Sequence, residues 1–135
     1  MTPRLALLLA FLAVAILSAT AWLVRPLVIA GPSMWPTLAA GDHVLVDVWT
    51  YRFRTPRPGE IVVATEPWHG ARVVKRVDRE AANRGLWLLG DNAVASEDSR
   101  TWGPVAAESV SGRVVWRYWP PARFGAPGSV ARAPR

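Results

Sequence analysis

The chain has no cysteine, two histidines and a single lysine. Without cysteine there is no disulfide frame, no thiol nucleophile and no thiolate metal site. His43 and His69 are too few for a convincing zinc or iron centre, so no metal and no cofactor are expected. The lysine count is the more telling scarcity, because fifteen arginines accompany Lys75. A guanidinium keeps its proton at any physiological pH, whereas an amine releases it when burial lowers its pKa. A chain that writes every other basic side chain as arginine keeps an amine at one position. The arginines are scattered and form no dense basic run, so the net charge of +6 does not argue for nucleic acid. A surface near anionic lipid headgroups accounts for it as well.

Residues 5–24 (LALLLAFLAVAILSATAWLV) carry no charge and are bracketed by Arg4 and Arg25. As a helix this run is about 30 Å long, the thickness of a bilayer's hydrocarbon core. Pro26 favours ending the helix just before it. The competing reading is a cleaved signal peptide, with Ala19-Thr20-Ala21 as an A-x-A-like site, but the apolar run exceeds an ordinary h-region. A retained membrane anchor over residues 1–25 is expected. One arginine at each end leaves its orientation undecided by charge.

After the anchor come short apolar runs broken by proline and glycine. Residues 43–49 (HVLVDVW) alternate, with Val44, Val46 and Val48 on one face. Further runs stand at residues 60–65 (EIVVAT), 71–77 (ARVVKRV), 86–89 (LWLL) and 113–119 (RVVWRYW). The expected fold is mainly β: one N-terminal transmembrane helix followed by a small antiparallel β-domain over residues 26–119. That domain is expected as a partly closed barrel or two packed sheets. Residues 120–135 (PPARFGAPGSVARAPR) have little to bury and are expected to be disordered. Of the eight tryptophans, Trp35 and Trp102 are candidates for membrane contact, with core packing as the alternative.

Ser33 follows the anchor in AGPSMWPTL, after the small Gly31, with Pro32 before it and Pro36 after it fixing the backbone on both sides. A free hydroxyl is a weak nucleophile and needs a base. His43 heads an alternating strand and His69 reads as a loop residue, and nothing places either within reach. In an extended ARVVKRV, Lys75 shares a face with Val73 and Val77 while Arg72 and Arg76 point away. An amine on an apolar face loses hydration of its charged form, which lowers its pKa and allows it to act as a base. The third polar segment is residues 90–100 (GDNAVASEDSR), where Asp98 and Arg100 can brace a loop and either Ser96 or Ser99 can offer a hydroxyl to an amine. Each segment alone also has a plain reading: a linker, a snorkelling lysine, and a turn with a surface salt bridge.

Together, and in this order, the segments resemble bacterial type I signal peptidase. The matching motifs are residues 31–38 (GPSMWPTL), 41–46 (GDHVLV), 75–77 (KRV) and 90–100, and the resemblance spans residues 26–119. It implies a Ser/Lys endopeptidase that removes signal peptides from exported proteins after A-x-A sites, a variant of the triad logic. Ser33 matches the nucleophile and Lys75 the base. Ser96 matches the serine that hydrogen-bonds the lysine, and Asp98 with Arg100 the pair bracing that loop. The oxyanion would be held by the Ser33 N–H; where some members add a hydroxyl two residues earlier, this chain has Gly31. The substrate would lie as an added strand between residues 27–32 and 72–74. Ile29, Ala30, Pro32, Met34, Val73 and Val74 are then the candidate substrate contacts.

Two features depart from the family pattern: the segment after the lysine is short, and Ala93 follows the G-D-N. The short form, the R-P-G-E turn at residues 57–60 and the ending at residues 112–120 are also similar to peptidases that trim the leader of nickel-type superoxide dismutase. The resemblance implies a single-pass protein of the cell membrane with its catalytic domain on the extracytoplasmic side. Its partners are then preproteins and the lipid bilayer, with no nucleic acid. A non-catalytic membrane-tethered β-domain and a self-cleaving regulator stand as alternatives. The lone lysine argues against the first, and the membrane anchor argues against the second.

Overall fold

The computed structural model describes residues 2–128. Helix α1 (Pro3–Leu23) is the apolar run. The Thr2 hydroxyl caps it by accepting from Leu5 N at 3.4 Å, and Pro3 occupies the first turn, where a missing N–H breaks no helical bond. No residue along the helix is buried, and its best 18-residue window has a mean hydropathy of 2.4. By length and composition it can cross a membrane. It ends sooner than the anchor expected over residues 1–25. Val24 and Arg25 instead open strand β1 (Val24–Val28). Leu23 O accepts from Val48 N at 3.0 Å and ties the helix end to the sheet. Pro26 is tolerated because β1 is an edge strand, where a missing donor disrupts only one ladder.

The remaining strands are β2 (His43–Asp47), β3 (Ile61–Thr65), β4 (Arg72–Ala81), β5 (Gly85–Leu89), β6 (Val105–Ala106) and β7 (Val110–Trp119). They make one curled sheet in the order β1-β2-β7-β3-β4-β5-β6, with neighbouring strands antiparallel throughout. The chain is therefore mainly β with one N-terminal apolar helix.

Side chains of successive strand residues face opposite sides. Ile61 and Val63 pack with Met34, Leu38, Val44, Val46 and Val114, while Val62 and Ala64 pack with Val77, Leu86, Leu88 and Val110. This is why EIVVAT is continuously apolar: β3 is buried on both faces. In β2 the alternation holds, with Val44 and Val46 buried and their neighbours half-buried. β4 runs well past the expected end at residue 77, with a register shift between Val77 and Arg79 at Asp78. The short segment after Lys75 is thus continuing strand. Trp102 packs partly against the second core, whereas Trp35 is half exposed, at 54 %.

Residues 120–128, expected to be disordered, instead pack against the sheet. Pro121–Arg123 form a short 3₁₀ turn, and Gly125 pairs with Arg117 through backbone bonds of 2.8 and 3.0 Å. Side-chain bonds from Arg117 and Arg123 and an edge-on contact of Phe124 with Trp116 at 5.3 Å add to this pairing, and composition does not reveal them. The rest of the expected tail lies outside the described residues.

Leu88 is fully buried at the centre of the second core, so Leu88→Ala is expected to destabilise the domain by about 2–5 kcal/mol. Val94 is 97 % exposed, and Val94→Ala is expected to change stability by less than about 0.5 kcal/mol. Denaturant midpoints of both variants in detergent check the pair.

Candidate active site

The turn that carries Ser33 is pinned from within and from outside. Trp35 N donates to Pro32 O at 3.1 Å, and Leu38 N donates to Met34 O at 2.9 Å. Met34 and Leu38 are buried at 1 % and 0 % exposure and anchor the turn in the first core. Outside it, Asn92 N donates to Ser33 O at 2.9 Å and Asn92 Nδ2 to Pro32 O at 3.1 Å. The 90–100 segment therefore holds the backbone of Ser33 directly.

Lys75 is in the first half of β4 and only 4 % exposed. Val73 and Val77, on its face, pack with the second core, while Val74 packs with the first. The Lys75 amine donates to Ser96 Oγ at 3.1 Å, and Ser96 Oγ donates its one hydrogen to Asp98 Oδ2 at 2.6 Å. The hydroxyl therefore meets the amine with a lone pair. Asp98 is fully buried and also accepts from Gly90 N at 2.9 Å, Arg100 N at 3.1 Å and Arg100 Nε at 2.9 Å. Burial raises its pKa, but the bonds from Arg100, Ser96 and Gly90 outweigh that and hold the carboxyl well below its ordinary value. It remains an anion, with most of its acceptor capacity committed to the loop. Burial is also the largest influence on Lys75 and lowers its pKa below the usual 10.5; Asp98 pulls the other way and Arg100 adds to the lowering.

Ser33 and Lys75 line one cavity of about 330 Å³, together with Leu27, Val28, Ile29, Ala30, Gly31, Met34, Arg72, Val73 and Val74. The cavity lies between two strand edges. β1 is an outer strand of the sheet, and β4 pairs with β5 only from Arg76 onward, so no strand of the described residues covers the outer edge of residues 72–75. Most of the substrate contacts expected from the sequence gather here, but Pro32 is exposed and does not line the cavity. Met34 reaches it from the core. Open space surrounds the position a Cβ would take at Gly31. Among the described residues, Ser33 Oγ makes no hydrogen bond; such contacts are commonly loose before substrate arrives. Neither histidine lines the cavity: His43 packs edge-on to Tyr118 at 5.7 Å, and His69 is an exposed loop residue beside Glu66.

Residue-by-residue reading missed several supports. Asp91 accepts from both arms of Arg76, at 2.9 and 2.8 Å, and from Thr37 Oγ1 at 2.6 Å. It thereby joins the strand of Lys75 to the loop after Ser33. Gly90 is packed so closely that a Cβ there would lie 2.1 Å from Ser96 Oγ and 2.6 Å from Ser33 O. The signal for Gly90, Asp91 and Asn92 was present, since the G-D-N motif itself contains them.

The geometry is matched by similarity to known proteins. The family model described as signal peptidase, peptidase S26, matches residues 3–78 and 79–119. Mitochondrial ATP-independent inner membrane protease subunit 1a of Arabidopsis thaliana is 34% identical over 118 residues, covering 70% of each chain. Mitochondrial inner membrane protease subunit 1 of Schizosaccharomyces pombe is 36% identical over 110 residues, covering 67% of this chain and 70% of its own. Probable thylakoidal processing peptidase 2 of Arabidopsis thaliana is 30% identical over 145 residues, covering 75% of this chain but 40% of its own length.

Gly90→Ala is expected to separate Ser96 from Ser33. Displacement on the order of 1 Å at a reacting group costs about a hundredfold in rate, and overpacking costs about 1–3 kcal/mol of stability. Cleavage rate and thermal midpoint, measured together, check both losses.

Proposed function

The chain belongs to the signal peptidase family, peptidase S26, and we propose that it cuts preproteins after small-x-small sites with Ser33 as nucleophile and Lys75 as general base. It is a membrane-associated serine-type peptidase that removes signal peptides. The observation that carries the residue assignment is a buried amine with a neutral hydroxyl as its hydrogen-bond partner, lining the same cavity as Ser33.

In the reaction, Ser33 Oγ attacks the scissile carbonyl carbon as the neutral Lys75 amine takes its proton, and the carbonyl oxygen becomes an oxyanion that the Ser33 N–H accommodates. Collapse breaks the C–N bond, and the Lys75 ammonium returns the proton to the leaving amine. The acyl ester on Ser33 is then attacked by a water that Lys75 deprotonates, and expulsion of the serine oxygen, reprotonated from Lys75, restores the enzyme. A positioned base of this kind contributes about 10²–10⁴ in rate. The outer edge of β1, which ends at Val28, and the uncovered edge of residues 72–74 face the cavity, which supports substrate binding as an added strand between them. The apolar cavity walls favour small side chains at the A-x-A positions. The anchor lies in the cell membrane and the β-domain on its extracytoplasmic face, where the end of a substrate's apolar segment emerges.

Three outcomes are expected with a preprotein bearing an A-x-A site, assayed in detergent and lipid. Ser33→Ala and Lys75→Arg, both folded, lose at least about a thousandfold in kcat/KM; arginine keeps the charge but cannot serve as a base. Equal cleavage by wild type and Lys75→Arg would remove Lys75 from the mechanism, and cleavage of a nickel superoxide dismutase leader alone would mark a dedicated maturation peptidase. The protonated amine is inactive, so wild-type kcat/KM rises with pH through a Lys75 pKa below the ordinary 10.5. Gly31→Ser, which meets open space, is expected to add an oxyanion donor and raise kcat about tenfold, equivalent to about 1.4 kcal/mol of barrier. A pH–rate profile and steady-state kinetics read the last two.

A further inference from the structure

The segment beyond the family match, which ends at residue 119, folds back behind the Ser33 turn. Its Arg123 side chain meets three consecutive residues after Ser33, at 35–37, and then Asp42. The guanidinium lies 5.7 Å from the centroid of the Trp35 ring. Nη2 donates to Pro36 O at 2.9 Å and to Thr37 O at 3.4 Å. Nη1 stands 3.4 Å from the carboxylate of Asp42, which is 2 % exposed. We propose that Arg123 is a positioning residue for the nucleophile, and that residues 120–128 are a strap holding the catalytic turn from behind. The proposal rests on the reading of Ser33 as nucleophile.

The strap is itself fixed. Arg117, on β7, donates from Nε to Arg123 O at 2.5 Å and from Nη1 to Thr37 O at 2.7 Å, and it reaches Asp42 Oδ2 at 3.3 Å. Two guanidiniums thus converge on one buried carboxylate, and the surplus of donors is taken up by the carbonyls of Pro36 and Thr37. Planar forks suit this arrangement, because each presents several donors in fixed directions. Asp42 completes the clamp by accepting from Ala39 N at 2.9 Å, while its backbone carbonyl accepts from Ile29 N at 2.9 Å. At its far end the strap touches the other half of the site: Gly128 O accepts from Arg76 Nη2 at 3.1 Å, and Arg76 holds Asp91.

A positioning role follows from where the contacts fall. The Ser33 turn closes through Trp35 N on Pro32 O, so a shift of residues 35–37 rotates Ser33. Arg123 makes no direct contact with the cavity walls, where Leu27 and Val28 keep their partners on β2 and residues 72–74 keep theirs on β3. Loss of Arg123 is therefore expected to fall on turnover and to spare substrate binding.

Steady-state cleavage by the full chain in detergent and lipid, well below each variant's thermal midpoint, tests this. Arg123→Ala is expected to lower kcat about tenfold or more with KM within about twofold, a displacement effect. Arg123→Lys, which can still reach Asp42 or one carbonyl, is expected to recover part of kcat; if Arg123→Ala does not fold, Arg123→Gln takes its place. Wild-type kcat in Arg123→Ala overturns the proposal. So does a fall in kcat that tracks the folded fraction, or a loss in KM of the same size. Ser33→Ala run alongside separates the two readings: its inactivity with an unaffected Arg123→Ala sinks only the strap, whereas an active Ser33→Ala sinks the nucleophile assignment itself.

Discussion

An amine buried beside a serine, without a carboxylate of its own, is the constraint around which this domain is arranged. A direct salt bridge would relieve the desolvation of Lys75, but it would also keep the amine protonated. The domain instead places the hydroxyl of Ser96 between Lys75 and Asp98, and it occupies Asp98 with Arg100 and the backbone of Gly90. The acid orients the hydroxyl and makes no direct bond to the amine, although its charge still pulls the Lys75 pKa upward against the effect of burial. The cost falls on stability. Unfolded, Lys75 binds its proton up to the ordinary 10.5; folded, it releases it at lower pH, so stability rises with pH across the interval between the two values. Below that interval the penalty is present in full, and the two packed cores offset it.

The motifs matter less as separate signatures than as the two ends of the same hydrogen bonds. Asp91 of the G-D-N segment holds Arg76 beside the lysine and Thr37 behind the serine. Asn92 of the same segment holds the Ser33 carbonyl. Asp42 of the G-D-H segment gathers Arg117 and Arg123 against the same loop. The bonds to Asp91 and Asp42 are charge-assisted, about twice as strong as neutral ones, and these two carboxylates are 6 % and 3 % exposed at the side chain. Arg76 and Lys75 are adjacent on β4 and face opposite ways, so one residue fixes the strand while the other presents its amine to the cavity. Backbone geometry, rather than any single contact, sets the relation between Ser33 and Lys75, the proposed nucleophile and base.

How much of this was legible depended on the kind of force involved. Apolar patterning was readable: the alternation of β2 and the unbroken run of β3 both report which faces are buried. β1 was hidden because Pro26 and the adjoining apolar helix mask a strand that lies on an edge. β6 has only two residues and carries no pattern of its own. The strap escaped for a different reason, since guanidinium-to-carbonyl bonds leave no trace in hydrophobicity. In the site, Lys75, Ser96, Asp98 and Arg100 were legible through residue chemistry and motif order, and they form one hydrogen-bonded chain. Gly90 was marked by its place in the G-D-N motif, but its reason was not, which is the absence of a side chain between Ser33 and Ser96. Only the folded packing reveals that.

The anchor and the cavity are parts of one design because β1 begins at the residue after α1 ends. From Leu23 to Ser33 the chain can reach at most about 35 Å even when fully extended, and β1 keeps the first half of that path in the sheet. With α1 in a membrane, as proposed, the Ser33 turn is confined to a layer near the membrane surface. A substrate held in the same membrane meets it at an effective concentration far above that of a free peptide. Under that condition the cavity has no need of large specificity contacts. In the proposed mode, open strand edges would supply sequence-independent backbone pairing, and the cavity walls would have only to reject bulk near the scissile bond. Confinement supplies the affinity and the strand edges supply the register. The buried amine is left with the chemistry alone.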